Sequence, residues 1–209
     1  EGEMNVFSMS EMIASGWALF KENMAVCILS ALVASLLSGI TCGLLCGPML
    51  AGVFIVIKKL IKRTDPKPTV NDVFGGFTYF LQTFLFILLM GIISGIINAI
   101  FALIPVLNII VACFSSSMLL WGVILITNHN MDCIQAIKFL FSGLFTGKFL
   151  RPLLMAIVAL LIGALGSIAC GIGVFFTMPL CYCIISVADN KIFEDENIET
   201  SDVEVNCEE

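Results

Sequence analysis

His129 is the only histidine in the chain, and it stands three residues before Asp132 in the polar loop Asn128-His-Asn-Met-Asp132. That spacing puts two potential metal ligands about one helical turn apart. Zinc takes three or four protein ligands, so the pair by itself reads as an ordinary loop. Cys42 and Cys46 are separated by three residues, and Cys170 holds a similar place in the last third of the chain. In an oxidising compartment such thiols cross-link or bind a soft metal. Most of the nine cysteines, however, sit in apolar runs, where cysteine behaves as a small hydrophobe. Ser94, Asn98, Asn108 and the run Ser115-Ser-Ser117 read as hydrogen-bonding partners between helices, with a narrow polar path as the alternative. No nucleophile–base pair, phosphate loop or paired carboxylate is present. Catalytic, cofactor and metal sites are therefore all expected to be absent, and the protein reads as non-enzymatic.

The elements that carry these residues are set by composition. Hydrophobic residues make up 59% of the 209 positions, charged residues 12%, and the mean hydropathy is +1.07. Soluble domains carry about 25% charged residues, and this much apolar surface has no place in water. The expected class is an all-α, polytopic membrane bundle. The net charge of −6 is concentrated at one end, since Glu194 to Glu209 holds eight of the sixteen carboxylates and no base. That stretch, residues 193–209, is expected to be a disordered acidic tail on a single domain of residues 1–192. No basic face exists to meet nucleic acid, so the partners expected are the lipid bilayer and a membrane protein or a second copy.

Ala31, Ser35, Gly39, Gly43 and Gly47 recur at every fourth position. On a helix they form a stripe almost without side chains, which in lipid lets a second helix approach closely. A first span of about Met24 to Cys46 is expected, turning at Gly47-Pro48 into a shorter span of Met49 to Ile61. Ahead of it, Ser8-Met-Ser-Glu11 fits a capping box, and Met9, Ile13, Trp17 and Phe20 share a face of an interfacial amphipathic helix.

The same order recurs twice. Thr69-Val-Asn-Asp72 and Asp132-Cys-Ile-Gln135 repeat the capping pattern, so the caps Ser8, Thr69 and Asp132 stand 61 and 63 residues apart. A third span of about Leu81 to Ile104 carries Gly91, Gly95 and Ala99, breaks at Pro105, and returns as Val106 to Thr127. After an amphipathic helix with Ile134, Ile137 and Phe141, a fifth and a sixth span follow at about Pro152–Cys170 and Phe175–Ala188, broken at Pro179. A shift of 124 residues carries Ser35, Gly39, Gly43 and Gly47 onto Ala159, Gly163, Ser167 and Gly171. The reading is about six transmembrane helices as three hairpins, each preceded by an interfacial helix, in repeats of about 8–63, 69–127 and 132–190.

All ten Lys and Arg residues lie in the N-terminal segment, the two even loops or the C-terminal stretch, and the turns near Pro48, Pro105 and Pro179 carry no charge. By the positive-inside rule both termini and both even loops face the cytoplasm of a cell whose inner membrane holds the protein.

Several short motifs carry a family resemblance. They are Trp17-Ala-Leu-Phe-Lys21-Glu-Asn23, Gly47-Pro48 with Gly52, Asp72-Val-Phe74-Gly-Gly76-Phe77, Ala136-Ile-Lys-Phe-Leu-Phe141 to Lys148-Phe149, and Met178-Pro179. In these the chain resembles a bacterial integral membrane family of unknown function and is similar to the membrane domain preceding some glycerophosphodiester phosphodiesterases. The resemblance implies a six-helix inner-membrane bundle and brings no activity, because the phosphodiesterase barrel is absent from this sequence. Two functions remain open: a structural or regulatory membrane module assembling through small-residue faces, or a small permease or channel for a neutral or lipid-like solute. The lack of an ionisable residue deep in the spans speaks against proton coupling.

Overall fold

Asn23 divides the first two helices. Its Nδ2 donates to the Leu19 carbonyl at 3.2 Å, closing α1 (Val6–Glu22), and α2 (Met24–Ile40) leaves at 89° to it. The architecture is a computed structural model describing residues 6–146, 157–158, 161 and 173–205. Among these residues it is all-helical, with seven α-helices and one 3-10 segment.

α2 stops at Ile40, earlier than its apolar run predicts. Thr41 Oγ1 donates to the Leu37 carbonyl at 2.8 Å, and the Gly43 N–H reaches the Ser38 carbonyl at 2.7 Å with φ at +85°. This is a glycine-terminated helix end, a conformation other residues adopt only under strain. The reversal thus lies at residues 41–45, and α3 (Cys46–Ile61) begins with Gly47 and Pro48 in its first turn. Proline suits that position, because the N–H it lacks has no helical partner there.

α3 is the centre of the molecule. Met49, Ala51, Val53, Phe54, Val56 and Ile57 are all buried, and α2, the 3-10 segment, α4 (Phe80–Phe101), α5 (Pro105–Asn128) and α7 (Val174–Val205) pack around it. Its tightest neighbour is the 3-10 segment (Val70–Tyr79). A Cβ on Gly52 would strike the Val73 carbonyl, and one on Gly76 would strike the Pro48 carbonyl and Gly52. The two backbones touch because neither position has a side chain. Pro48 and Gly52 of α3 and Val73 and Gly76 of the 3-10 segment meet in this one contact.

The expected cap at Thr69 forms, with the Thr69 N–H donating to Asp72 Oδ2 at 2.7 Å. From Tyr79 the chain continues into α4 (Phe80–Phe101) and returns as α5 (Pro105–Asn128), with Pro105 as the first helical residue. Asn108 Nδ2 donates to the Asn98 carbonyl at 2.9 Å and ties the far end of this hairpin. Two helical stretches, Val70–Phe101 and Leu107–Asn128, are long and apolar enough to cross a membrane, and a third is possible if the bent α1–α2 pair is one span. Only 17% of the apolar window of Val70–Phe101 is buried. Leu88, Ile92, Ile96, Ile100, Ile109 and Ile110 all lie exposed on the hairpin.

Asp132 opens α6 (Cys133–Thr146), its N–H donating to Gln135 Oε1 at 3.2 Å as the capping pattern predicts. α7 (Val174–Val205) contains Pro179 in its interior without ending there. Its helical backbone runs on through residues 193–205. α1 begins at Val6, so Ser8 lies inside the helix and not at its cap.

Gly47, at the start of α3, already meets the backbone of Thr83 in the first turn of α4, so α3 does not run along the length of α4. α1 packs antiparallel on α7, with Gly16 against Ile184 and Lys191 3.9 Å from Glu11. Hence α7 lies along the axis of α1 in the opposite sense, while α2 departs at a right angle. The buried stripe of α1 is Met12, Gly16 and Phe20, leaving Trp17 half-exposed. Apart from residues 157, 158 and 161, the fifth span lies outside the described residues, as do residues 168–172 of the third turn.

Candidate functional site

Polar side chains gather where α3 and α5 end. α5 terminates at Asn128, leaving carbonyls without helical donors. Lys58, on the last turn of α3, supplies one: its Nζ donates to the Asn128 carbonyl at 2.7 Å. The positive ammonium also suits the negative end of the α5 dipole. Asn128 Nδ2 in turn donates to Asp189 Oδ2 at 2.8 Å, and His129 Nε2 lies 3.2 Å from Asp189 Oδ1. Asp189 is buried on α7, with a side-chain exposure of 3%. A carboxylate at that depth is sustained only by such partners. Asn128 Oδ1 and Ser186 Oγ are buried close by in sequence without a hydrogen-bond partner.

A second group of contacts fixes the rim. Lys59 Nζ lies 2.6 Å from Asp72 Oδ1. The Tyr79 hydroxyl donates to Asn130 Oδ1 at 2.6 Å, and Gln82 Nε2 to Asp132 Oδ1 at 3.3 Å. Gln82 Oε1 accepts from the Cys133 N–H at 2.9 Å. These bonds bring both even loops to one end of the α4–α5 hairpin and place the 3-10 segment at that same end. There the Lys59 ammonium and the Thr69 N–H hold the Asp72 carboxyl below its usual range.

Between α3, the 3-10 segment and the end of α5 lies an open cavity of about 390 Å³. Lys58, Lys59 and Lys62 of α3, Gly75 and Thr78 of the 3-10 segment and Thr127 of α5 line it.

The structure sorts the residues singled out from the sequence. His129 pairs with Asp189, not Asp132, because the fold brings α7 to the loop. Among the described residues no group of three or more metal-ligating side chains forms. Cys42 and Cys46 are exposed free thiols. Cys27 and Cys183 meet in the core at 3.8 Å, a pairing no local spacing signals. Ser35, Gly39 and Gly43 are exposed, and a Cβ on Gly39 or Gly43 would have no described atom within 4 Å. Gly91 and Gly95 are equally open, whereas Gly47 and Pro48 are buried. Pro179 is buried in α7. Ala159, Gly163, Ser167 and Gly171 lie outside the described residues. Of the glycines that allow close approach, Gly47 belongs to the predicted stripe, whereas Gly16, Gly52, Gly76 and Gly122 (which faces the Phe86 ring) do not.

No family model, curated protein or solved structure matches this chain.

Proposed function

We propose that the protein is a multi-pass inner-membrane module whose work is assembly with other membrane helices. The observation that carries this reading is the α4–α5 hairpin. Its exposed surface is apolar along its length. The side-chain hydrogen bonds of Tyr79 and Gln82 lie at the loop end and that of Asn108 across the tip, while those of Asn98, Ser116 and Ser117 stay within a single helix. α4 is ~33 Å long at 1.5 Å per residue, which matches ~30 Å of hydrocarbon. A surface of this kind in water would be an aggregation site; in lipid it is the ordinary exterior.

The assembly role draws on the open glycine faces. Gly39 on α2 and Gly91 and Gly95 on α4 have no described atom within 4 Å of a Cβ, and Ser35 on α2 is exposed with its hydroxyl turned onto its own helix, so these faces can admit a second copy or a partner helix. Ser116 and Ser117 hydroxyls bond to carbonyls of their own helix, at 2.8 Å each, which fits a structural rather than a path-lining role. The six-span, three-repeat arrangement, cytoplasmic termini and even loops, and kinship with the bacterial family resembled above, complete the proposal.

The test is the mass of the purified protein in a mild detergent, with and without leucine at Gly91 and Gly95. Assembly predicts that wild type runs as an oligomer or with a partner, and that the double variant runs alone with its helix content intact. Identical assembly states would overturn the reading.

A further inference from the structure

The cavity beside α3 has features of a site for a charged ligand. Its volume of about 390 Å³ falls within the range of small-molecule pockets. Its α3 wall presents Lys58, Lys59 and Lys62, and the carboxylates nearby leave a positive excess. Asp72 answers Lys59 at 2.6 Å, and Lys58 stands in the field of Asp189 while its ammonium is spent on the Asn128 carbonyl. Lys62 has no ion-pair partner among the described residues, and it repels Lys58 one helical turn away. Like charges at that spacing destabilise a helix, and an anion between them removes the repulsion.

The opposite wall is shaped to admit one. A Cβ on Gly75 would meet only Ile55 Cδ1, at 3.8 Å, so the glycine leaves the mouth wide, and Thr78 adds a hydroxyl donor at the lining. The same segment turns an aromatic ladder outward. Phe74, Phe77, Phe80 and Phe84 stack in sequence at centroid spacings of 6.3, 6.3 and 5.8 Å, with Phe74 and Phe77 exposed. Aromatic rings of this kind settle at headgroup depth. Lysines, a hydroxyl and exposed rings at one end of an apolar hairpin thus match the chemistry of a phosphate joined to acyl chains.

We infer that the cleft between α3 and the 3-10 segment binds a phosphate group, supplied by an anionic phospholipid whose chains lie along the Phe74–Phe77 face. The inference rests on the membrane reading above and adds a ligand to it. Basic pockets at the cytoplasmic side of helical membrane proteins hold anionic headgroups by the same forces.

The experiment uses the full chain in nanodiscs of phosphatidylcholine alone or with phosphatidylglycerol, after alkaline washing has shown that the protein stays in the membrane fraction. Extraction at that first step would defeat the membrane reading, before any headgroup is compared. Thermal stability and the lipid retained on transfer to detergent are then measured for wild type, Lys62→Gln, Lys62→Arg and Gly75→Leu. A site predicts higher stability and selective retention of phosphatidylglycerol in wild type and Lys62→Arg. In Lys62→Gln the apparent affinity should fall roughly fivefold, the effect of one lysine near an anionic surface. Gly75→Leu should block binding sterically without removing a charge. In the second arm, inorganic phosphate is titrated into the phosphatidylcholine discs. Stabilisation there that depends on Lys62, without any preference for phosphatidylglycerol, would overturn the lipid as source. Equal behaviour of wild type, Lys62→Gln and Gly75→Leu in every lipid would overturn the site.

Discussion

Alanine at Gly52 or Gly76 adds one carbon where two backbones already touch. A Cβ on Gly76 would come within 2.5 Å of the Gly52 nitrogen and 2.9 Å of its Cα, and one on Gly52 within 2.6 Å of the Val73 carbonyl carbon. Each of these obstacles is backbone, so no side chain can turn aside. Ordinary contact needs about 3.5 Å, so α3 and the 3-10 segment must part by on the order of 1 Å. A gap of that size forfeits a quarter to a half of the dispersion well for each pair of atoms moved apart, and overpacking generally costs ~1–3 kcal/mol. Set against this, alanine at Gly52 favours the helix by up to ~1 kcal/mol. The clash prevails, and a net loss of ~2 kcal/mol is expected. At ~2–4 °C per kcal/mol for a chain of this size, Tm should fall by ~4–8 °C. The control is the same substitution at Gly91 or Gly95, where no described atom lies within 4 Å of the new carbon. There only the helix propensity acts, and Tm should hold or rise slightly. Unfolding followed by tryptophan fluorescence in one detergent compares all four. If Gly52→Ala and Gly76→Ala melt with the two controls, the close contact is not a source of stability and the reasoning fails.

Other substitutions probe the polar end and the first turn. Asp189→Ala leaves Asn128, His129 and Lys58 facing an empty buried space and should cost ~3 kcal/mol; Asp189→Asn, which keeps the shape and one acceptor, should cost clearly less, and equal melting temperatures would contradict the network. Asp72 has a depressed folded pKa, so its stabilisation is present above the ordinary carboxylate range and is lost as pH falls through the folded value. The Tm difference between wild type and Asp72→Asn should therefore be steady near ~pH 6 and shrink towards ~pH 3, whereas a constant difference would show that the charge is not involved. Gly43→Ala should destabilise by ~1 kcal/mol through its φ of +85°, while Gly39→Ala should not; equal effects would place the cost in helix packing and not in the turn.

The helical class and the extents of α4 and α5 were legible because apolar runs bounded by Pro105 and the Asn128 loop allow little else. The caps at Thr69 and Asp132 were legible for the same local reason, since each depends on residues three apart. α2 ended early because Gly43 took a left-handed turn, a choice that hydropathy does not register. The glycine spacing pointed to Ser35, Gly39 and Gly43, yet the contact at the centre joins Gly52 to Gly76. Such a contact belongs to two backbones brought together by the chain between them, and no single period reports it. His129 shows the same limit: its partner Asp189 is supplied by α7, while the nearer Asp132 is taken by Gln82. The lysine cluster was visible in sequence, but the cavity beside it needed Gly75 and Thr78 from another element.

The central claim is that the α4–α5 hairpin crosses the bilayer with both even loops on one side. Single cysteines at Lys67, Leu103 and Asn130 in sealed inner-membrane vesicles test it most directly, with a maleimide that cannot cross lipid. Leu103 is 93% exposed at the tip of the hairpin, and Lys67 and Asn130 are exposed in the even loops, so all three can react. The account predicts that Lys67→Cys and Asn130→Cys are labelled from the cytoplasmic face alone and Leu103→Cys from the opposite face alone. Labelling of Leu103→Cys from the same face as the other two would contradict it.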